Sequence, residues 1–124
     1  MVATDAPLLP HHCRRVAQRA GLGLARSGGY GATSSGDLFL CFATGNRGLH
    51  PAEVEPVGST FETVRAMIDD ALDPLFEATI EATEEAIANA LVVAETMVGR
   101  DGIIAHALPH DRLVEIMRRH GRLS

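Results

Sequence analysis

Apolar positions recur along the chain with a period that changes several times, and each change marks an element. Met1 to Ala3 is strand-like but too short for a complete strand, and it runs into a turn that ends at Pro7. From Pro10 onward Cys13, Val16, Ala17, Ala20 and Leu24 fall on one helical face, with Arg14, Arg15 and Arg19 largely off it. Pro10 suits a first helical turn, where its missing N–H costs nothing. Gly21 and Gly23 weaken the second half, and Ser27-Gly28-Gly29 ends it. Residues 27–36 form a loop by composition. The next stretch, Leu38 to Ala43, is apolar at every position, which predicts a strand covered on both faces.

Residues 45–58, with two prolines and three glycines, read as a second loop. Ser59-Thr60-Phe61-Glu62 has the form of a capping box, a hydroxyl followed three residues later by Glu. A long helical pattern follows and Pro74 should break it, giving helices over 60–72 and 75–98. Phe76, Ile80, Thr83, Ile87, Leu91 and Ala94 form the stripe of the second. Gly99 ends that helix, and Asp101-Gly102 is a turn. Ile103 to Leu108 is a short apolar segment that offers a third strand. A last helix spans Pro109 to His120, with Leu113, Ile116 and Met117 inward.

The expected fold is mixed α/β (α+β): one strong strand, a strand stub at the N-terminus and about four helical segments in a single partial domain, 1–124. A two-stranded sheet covered on both faces does not stand by itself. Residues 38–43 therefore call for neighbouring strands from another polypeptide or from an N-terminal part. The alternative is a mostly helical domain with one hairpin.

Composition narrows the function classes. The chain has 124 residues, a net charge of −5 and 46% apolar residues, which suits a folded domain. Its eleven basic residues are all Arg, without a cluster or an aromatic ladder, so no nucleic-acid partner is expected. The lack of a long apolar run and of a signal peptide predicts no membrane association and a cytoplasmic location. Cys13 and Cys41 have no metal-ligand spacing and read as two buried free thiols in a reducing compartment. His11 and His12 point about 100° apart on a helix, and Pro109 lies between His106 and His110, so neither a metal nor a cofactor is expected. Glu77, Glu81 and Glu85 stand four residues apart, as a solvated face or as a contact for an Arg-bearing surface of another subunit. Asn89, four residues beyond Glu85, is a candidate buried polar anchor.

The best candidate chemistry lies in Ser34-Ser35-Gly36-Asp37. A hydroxyl and a carboxylate two residues apart, at a loop-to-strand junction, can point into one cleft and polarise a nucleophile or its base. The same residues are also ordinary turn formers.

Several blocks carry a family resemblance. Ala3-Thr-Asp-Ala-Pro-Leu8, Gly23-Leu-Ala-Arg26, Ser35-Gly-Asp-Leu-Phe-Leu40 and Phe42-Ala-Thr44 resemble the C-terminal chain of the P1 (DmpA-like) aminopeptidases, peptidase family S58. So do Pro74-Leu-Phe-Glu-Ala78, Glu84 to Leu91, Glu95-Thr-Met97, Gly99-Arg-Asp-Gly102 and Ala107-Leu-Pro109. The resemblance implies a precursor that cleaves itself before a Ser, which becomes the N-terminal nucleophile of the second chain. It also implies an αββα sandwich resembling the N-terminal-nucleophile hydrolases, of which this chain is half, and assembly of the paired chains into oligomers. The nucleophile would stand about four residues before Met1, outside this sequence together with the N-terminal chain. Ser35 and Asp37 match the second Ser and the acidic residue that assist it, with Asp where β-peptidyl members carry Glu.

The implied activity is hydrolysis at N-terminal residues of short peptides, amides or esters. Its partners would be the missing N-terminal chain, or further copies of this one. The competing readings are a non-catalytic truncated or degenerate copy serving as an interaction domain, and an acyltransferase of a related self-processing fold.

Overall fold

Pro10 opens the first helix, α1, which runs from Pro10 to Arg26. Its N-cap, Leu9, has no side-chain oxygen, so the end is closed from inside the helix: His12 Nδ1 accepts the Leu9 backbone N–H at 3.3 Å. At the other end Gly28 takes a φ of +100° that a Cβ would oppose. There the Gly28 N–H reaches the Ala25 carbonyl and the Gly29 N–H the Leu24 carbonyl, both at 3.0 Å, a Schellman closure. The buried face is His12, Val16, Ala17, Ala20 and Gly23. It is rotated from the predicted one because a histidine and a glycine carry no apolar signal. The helix continues through Gly21 and Gly23 to Arg26.

The computed structural model describes residues 1–49 and 61–123. They divide into two compact units, Met1–Glu84 and Glu85–Ser124.

In the first unit α1 serves as the crossover between two parallel strands, β1 (Val2–Thr4) and β2 (Cys41–Ala43). Val2 pairs with Cys41, Ala3 with Phe42 and Thr4 with Ala43. Bonds from the Val2 N–H to the Leu40 carbonyl at 2.8 Å, and from the Thr44 N–H to the Thr4 carbonyl at 2.9 Å, close the ladder ends. The strand expected over 38–43 is thus confined to 41–43, and its faces are not both covered: Leu38 is 95% exposed and Leu40 60%. Three residues of β1 can pair with only three residues of β2. The core is correspondingly small. Leu8, Val16, Leu72 and Phe76 form it, with Val2, Cys13, Cys41 and Met67 packed around.

The helix expected over 60–72 does not form. Ser59 and Thr60 of the capping box lie outside the described residues; from Phe61 to Ile68 the chain is irregular, ending in one 3₁₀ turn, Asp69–Ala71. Backbone groups that a helix would use are committed elsewhere. The Asn46 amide brackets Arg65, donating to its carbonyl at 3.0 Å and accepting its N–H at 2.9 Å, and the Met67 N–H donates to the Pro7 carbonyl at 3.1 Å. Pro74 does not break a helix but sits second in one, α2 (Asp73–Val93), where no N–H is needed.

Early in α2, Phe76 and Thr79 are buried. Arg15 and Arg19 lie over the Phe76 ring, at 5.2 and 4.1 Å from its centroid. Gly23 lets α1 approach α2 closely: a Cβ there would stand 2.5 Å from the Ile80 carbonyl oxygen and 2.6 Å from Thr83 Cβ.

The second unit begins within α2, which ends at Val93 rather than at 98 because Met97 and Val98 form a strand. This strand, β3 (Met97–Val98), pairs antiparallel with β4 (Ile104–Ala105), which supplies the third strand offered by the apolar segment. Asp101 and Gly102 turn the hairpin with φ of 60° and 73°, the type I′ arrangement, and the Ile103 N–H donates to the Arg100 carbonyl at 3.3 Å. The last helix, α3 (His110–Arg119), closes on Gly121 at φ 62°. Its Ile116 is 41% exposed rather than inward, while Leu113 and Met117 are half-buried. Glu77, Glu81, Glu85 and Asn89 are exposed along α2, so Asn89 is no buried anchor. Three α-helices are present among the described residues, against about four helical segments expected.

Candidate functional site

The glycine-rich approach to β2 folds back on itself before Ser35. Gly28 and Gly31 take positive φ, and the Ser35 N–H closes a turn onto the Ala32 carbonyl at 2.7 Å. This turn and the extended chain after it put two side chains in contact: the Ser35 hydroxyl donates a short hydrogen bond to Asp37 Oδ2. Both residues are exposed, and a Cβ added at Gly36 between them would meet nothing within 4 Å. The carboxylate is thus fixed by one donor and keeps free lone pairs for a second.

Asp37 also stands at one end of an open groove of about 530 Å³ between α1 and the segment leading into β2. Pro10, Cys13, Arg14, Ala17 and Gln18 form one wall, and Leu38 to Cys41 the other. The parallel register aims the start of the chain at this place. Val2 lies beside Cys41, so Met1 lies beside Leu40, three residues from Asp37. A chain extended backward in the same register would run beside 39, 38, 37 and 36 in turn.

Sequence reasoning did not find a second cluster, at the base of α1. His12 is buried and its Nε2 lies 3.1 Å from Asp69 Oδ1, while Arg15 Nη1 lies 3.0 Å from Asp69 Oδ2. The His11 ring lies tilted against that of His12, with centroids 3.9 Å apart and 58° between the planes. One ligand atom each from His11, His12 and Asp69 lies within 4.8 Å of the others, close enough to suggest a metal ion. The hydrogen bonds favour a different role. His12 Nδ1 accepts from the Leu9 N–H, so Nε2 carries the ring proton and donates to Asp69, and the Arg15 guanidinium already neutralises that carboxylate. The cluster is a clamp joining α1 to the turn before α2. No spacing signal could reveal it, because His12 and Asp69 are 57 residues apart.

Of the remaining histidines, His110 donates from Nε2 to the Val92 carbonyl at 2.7 Å. Cys13 and Cys41 are free, as expected, but each is half-buried rather than buried. Burial, and then the neighbouring Cys13 thiol, push the Cys41 thiol up from 9.0 to about 11. No helix among the described residues is long and apolar enough to cross a membrane.

Comparison with known proteins fits this architecture. Residues 1–105 match the profile of Peptidase family S58. The chain is 44% identical over 124 residues to the beta-peptidyl aminopeptidase BapA of Sphingosinicella microcystinivorans, all of this chain against 30% of that protein. Among solved structures, a Burkholderia sp. beta-aminopeptidase superposes with a TM-score of 0.84 at 47% identity, over 95% of this chain and 34% of that one. The L-aminopeptidase D-Ala-esterase/amidase of Ochrobactrum anthropi, described as a variant of the Ntn hydrolase fold, superposes with a TM-score of 0.78 at 36% identity, over 97% of this chain and 32% of that one. The chain spans about a third of the length of these relatives. The mixed α/β elements are those of a chain whose structural neighbours have the Ntn hydrolase fold, and the chain belongs to peptidase family S58.

Proposed function

We propose that this chain is the C-terminal portion of a serine-type aminopeptidase or amidase that hydrolyses N-terminal residues of short peptides, amides or esters. The observation that carries the proposal is the Ser35–Asp37 hydrogen bond beside open space, at the end of the ladder toward which β1 points backward. In that register a residue four positions before Met1 falls beside Gly36, between Ser35 and Asp37. A nucleophilic Ser there, freed as a chain N-terminus by self-cleavage, would have its own α-amine as base and Asp37 within reach to orient that amine.

The chemistry follows from those positions. The amine takes the proton of the nucleophile's hydroxyl as its oxygen attacks the substrate carbonyl, and the same proton then passes to the leaving amine. Water hydrolyses the resulting ester by the reverse sequence. Backbone or Asn N–H groups of the remainder of the enzyme would hold the oxyanion. Ser35 holds the Asp37 carboxylate in one orientation. The N-terminal chain, or further copies of this one, would cover the exposed Leu38, Leu40 and Phe42. Support comes from the relatives named as aminopeptidases and from the open sheet.

The test is reconstitution with the N-terminal portion of the precursor. Asp37→Asn should lower kcat by roughly 10²-fold or more with little change in melting temperature, and Ser35→Ala should lower it less. Glu95→Gln, at an exposed position, should do neither. The 124-residue chain alone should not hydrolyse amino-acid p-nitroanilides above background. Turnover by the chain alone that survives Ser35→Ala, or equal losses of stability and activity in Asp37→Asn, would overturn the assignment.

A further inference from the structure

Cys13 lies on α1 and Cys41 opens β2, so the two cysteines come from elements that meet only through the fold. Both pack on the edge of the same core, around Val16 and Leu72, and both line the groove that ends at Asp37. Neither is sealed: each is half-buried and each carries a free thiol. We propose that Cys13 and Cys41 are a disulfide-forming pair, an oxidative latch that ties α1 to β2 along the wall of the groove.

The two thiols are neighbours: after burial, Cys13 is the group that most opposes ionisation of Cys41. Either thiol can open the reaction, and both orders end in the same products. With a small-molecule disulfide RSSR of the glutathione type as oxidant, the Cys13 thiolate attacks one sulfur. A Cys13–S–S–R bond forms and RS⁻ leaves, to be protonated to RSH. Cys41 then loses its proton and attacks Cys13 Sγ, forming the Cys13–Cys41 bond and releasing the second RSH. Two thiols have been oxidised and one RSSR reduced to two RSH, so atoms and electrons balance. Cys13 and Cys41 both line the open groove, which gives the oxidant its approach. The latch closes a loop from 13 to 41 and fixes the helix that forms one wall of the groove.

The full chain, equilibrated in glutathione redox buffers and mapped without reduction, tests this. The expected result is a tryptic peptide pair joined through Cys13 and Cys41, a whole-chain mass lower by two hydrogens, and a melting temperature raised by roughly 10 °C over the reduced chain. In Cys13→Ser and Cys41→Ser the remaining thiol should stop at a single mixed disulfide with glutathione. Glutathione on both cysteines of the unsubstituted chain without a link between them would overturn the proposal. So would a link only between two copies, or thiols that stay reduced in glutathione disulfide alone. The mapping of the unsubstituted chain decides the matter even where a serine variant does not fold, and its readout is independent of any hydrolytic activity.

Discussion

Gly21 and Gly23 stand two residues apart on α1 and should answer oppositely to the same substitution. A Cβ at Gly21 would meet the Phe39 ring at 3.5 Å, an ordinary contact, whereas one at Gly23 would lie 2.5 Å from the Ile80 carbonyl oxygen. Gly21→Ala therefore keeps the propensity gain of about 1 kcal/mol that alanine brings to a helix interior. Gly23→Ala forces the two helices apart and should lose about 1–3 kcal/mol despite the same gain. Urea denaturation of both variants checks the pair, and a stabilised Gly23→Ala would refute the close approach. From sequence, both glycines read as weak points of one helix. What separates them is a neighbour on α2, and composition has no access to that. The Ser35–Asp37 contact was legible because the two residues are local to each other; His12 and Asp69 meet across 57 residues and were not.

Among the elements, β2 carries a titration that stability should report. The Cys41 thiol ionises near pH 11 in the folded chain and near 9.0 when free of it. The unfolded chain therefore releases this proton first, and stability falls as pH rises from 9 toward 11, being fully retained below 9. Denaturation midpoints between pH 8 and 11 should show the fall, and Cys41→Ser should flatten that part of it. An unchanged profile in Cys41→Ser would mean that other groups set it. Element boundaries were the least legible level. The apolar run 38–43 announced β2, but β1 pairs with only three of its residues, and this pairing sets its length. The helical pattern over 60–72 lost to Asn46 and Pro7, which take up the backbone of Arg65 and Met67. Pro74 was read as an interruption although it serves as a beginning, since a proline signal is the same in both cases.

For the molecule as a whole, exposed apolar surface sets the behaviour. Leu38, Leu40 and Phe42 in the first unit, and Met97, Val98, Ile103 and Ile104 in the second, are each at least 45% exposed. Apolar groups in such number on one small chain favour association. Sedimentation velocity at micromolar concentration should show species larger than a 13.2 kDa monomer. A sharp monomer boundary together with a cooperative melt would contradict this. That the sheet is too small for its apolar content could be argued from the residues alone. The division into units within α2 could not, because the helix pattern runs through Glu84 and Glu85 without a break.

The two strand pairs also differ in how they can be reached in time. Val98 finds Ile104 by closing a loop of five residues, while Val2 finds Cys41 only by closing one of 38. The longer closure costs roughly 1.8 kcal/mol more in chain entropy. The hairpin around Asp101-Gly102 can form and dissolve many times while β1 is still searching. Amide protection in a pulse-labelling experiment would accordingly reach Ile103 long before it reaches Val2.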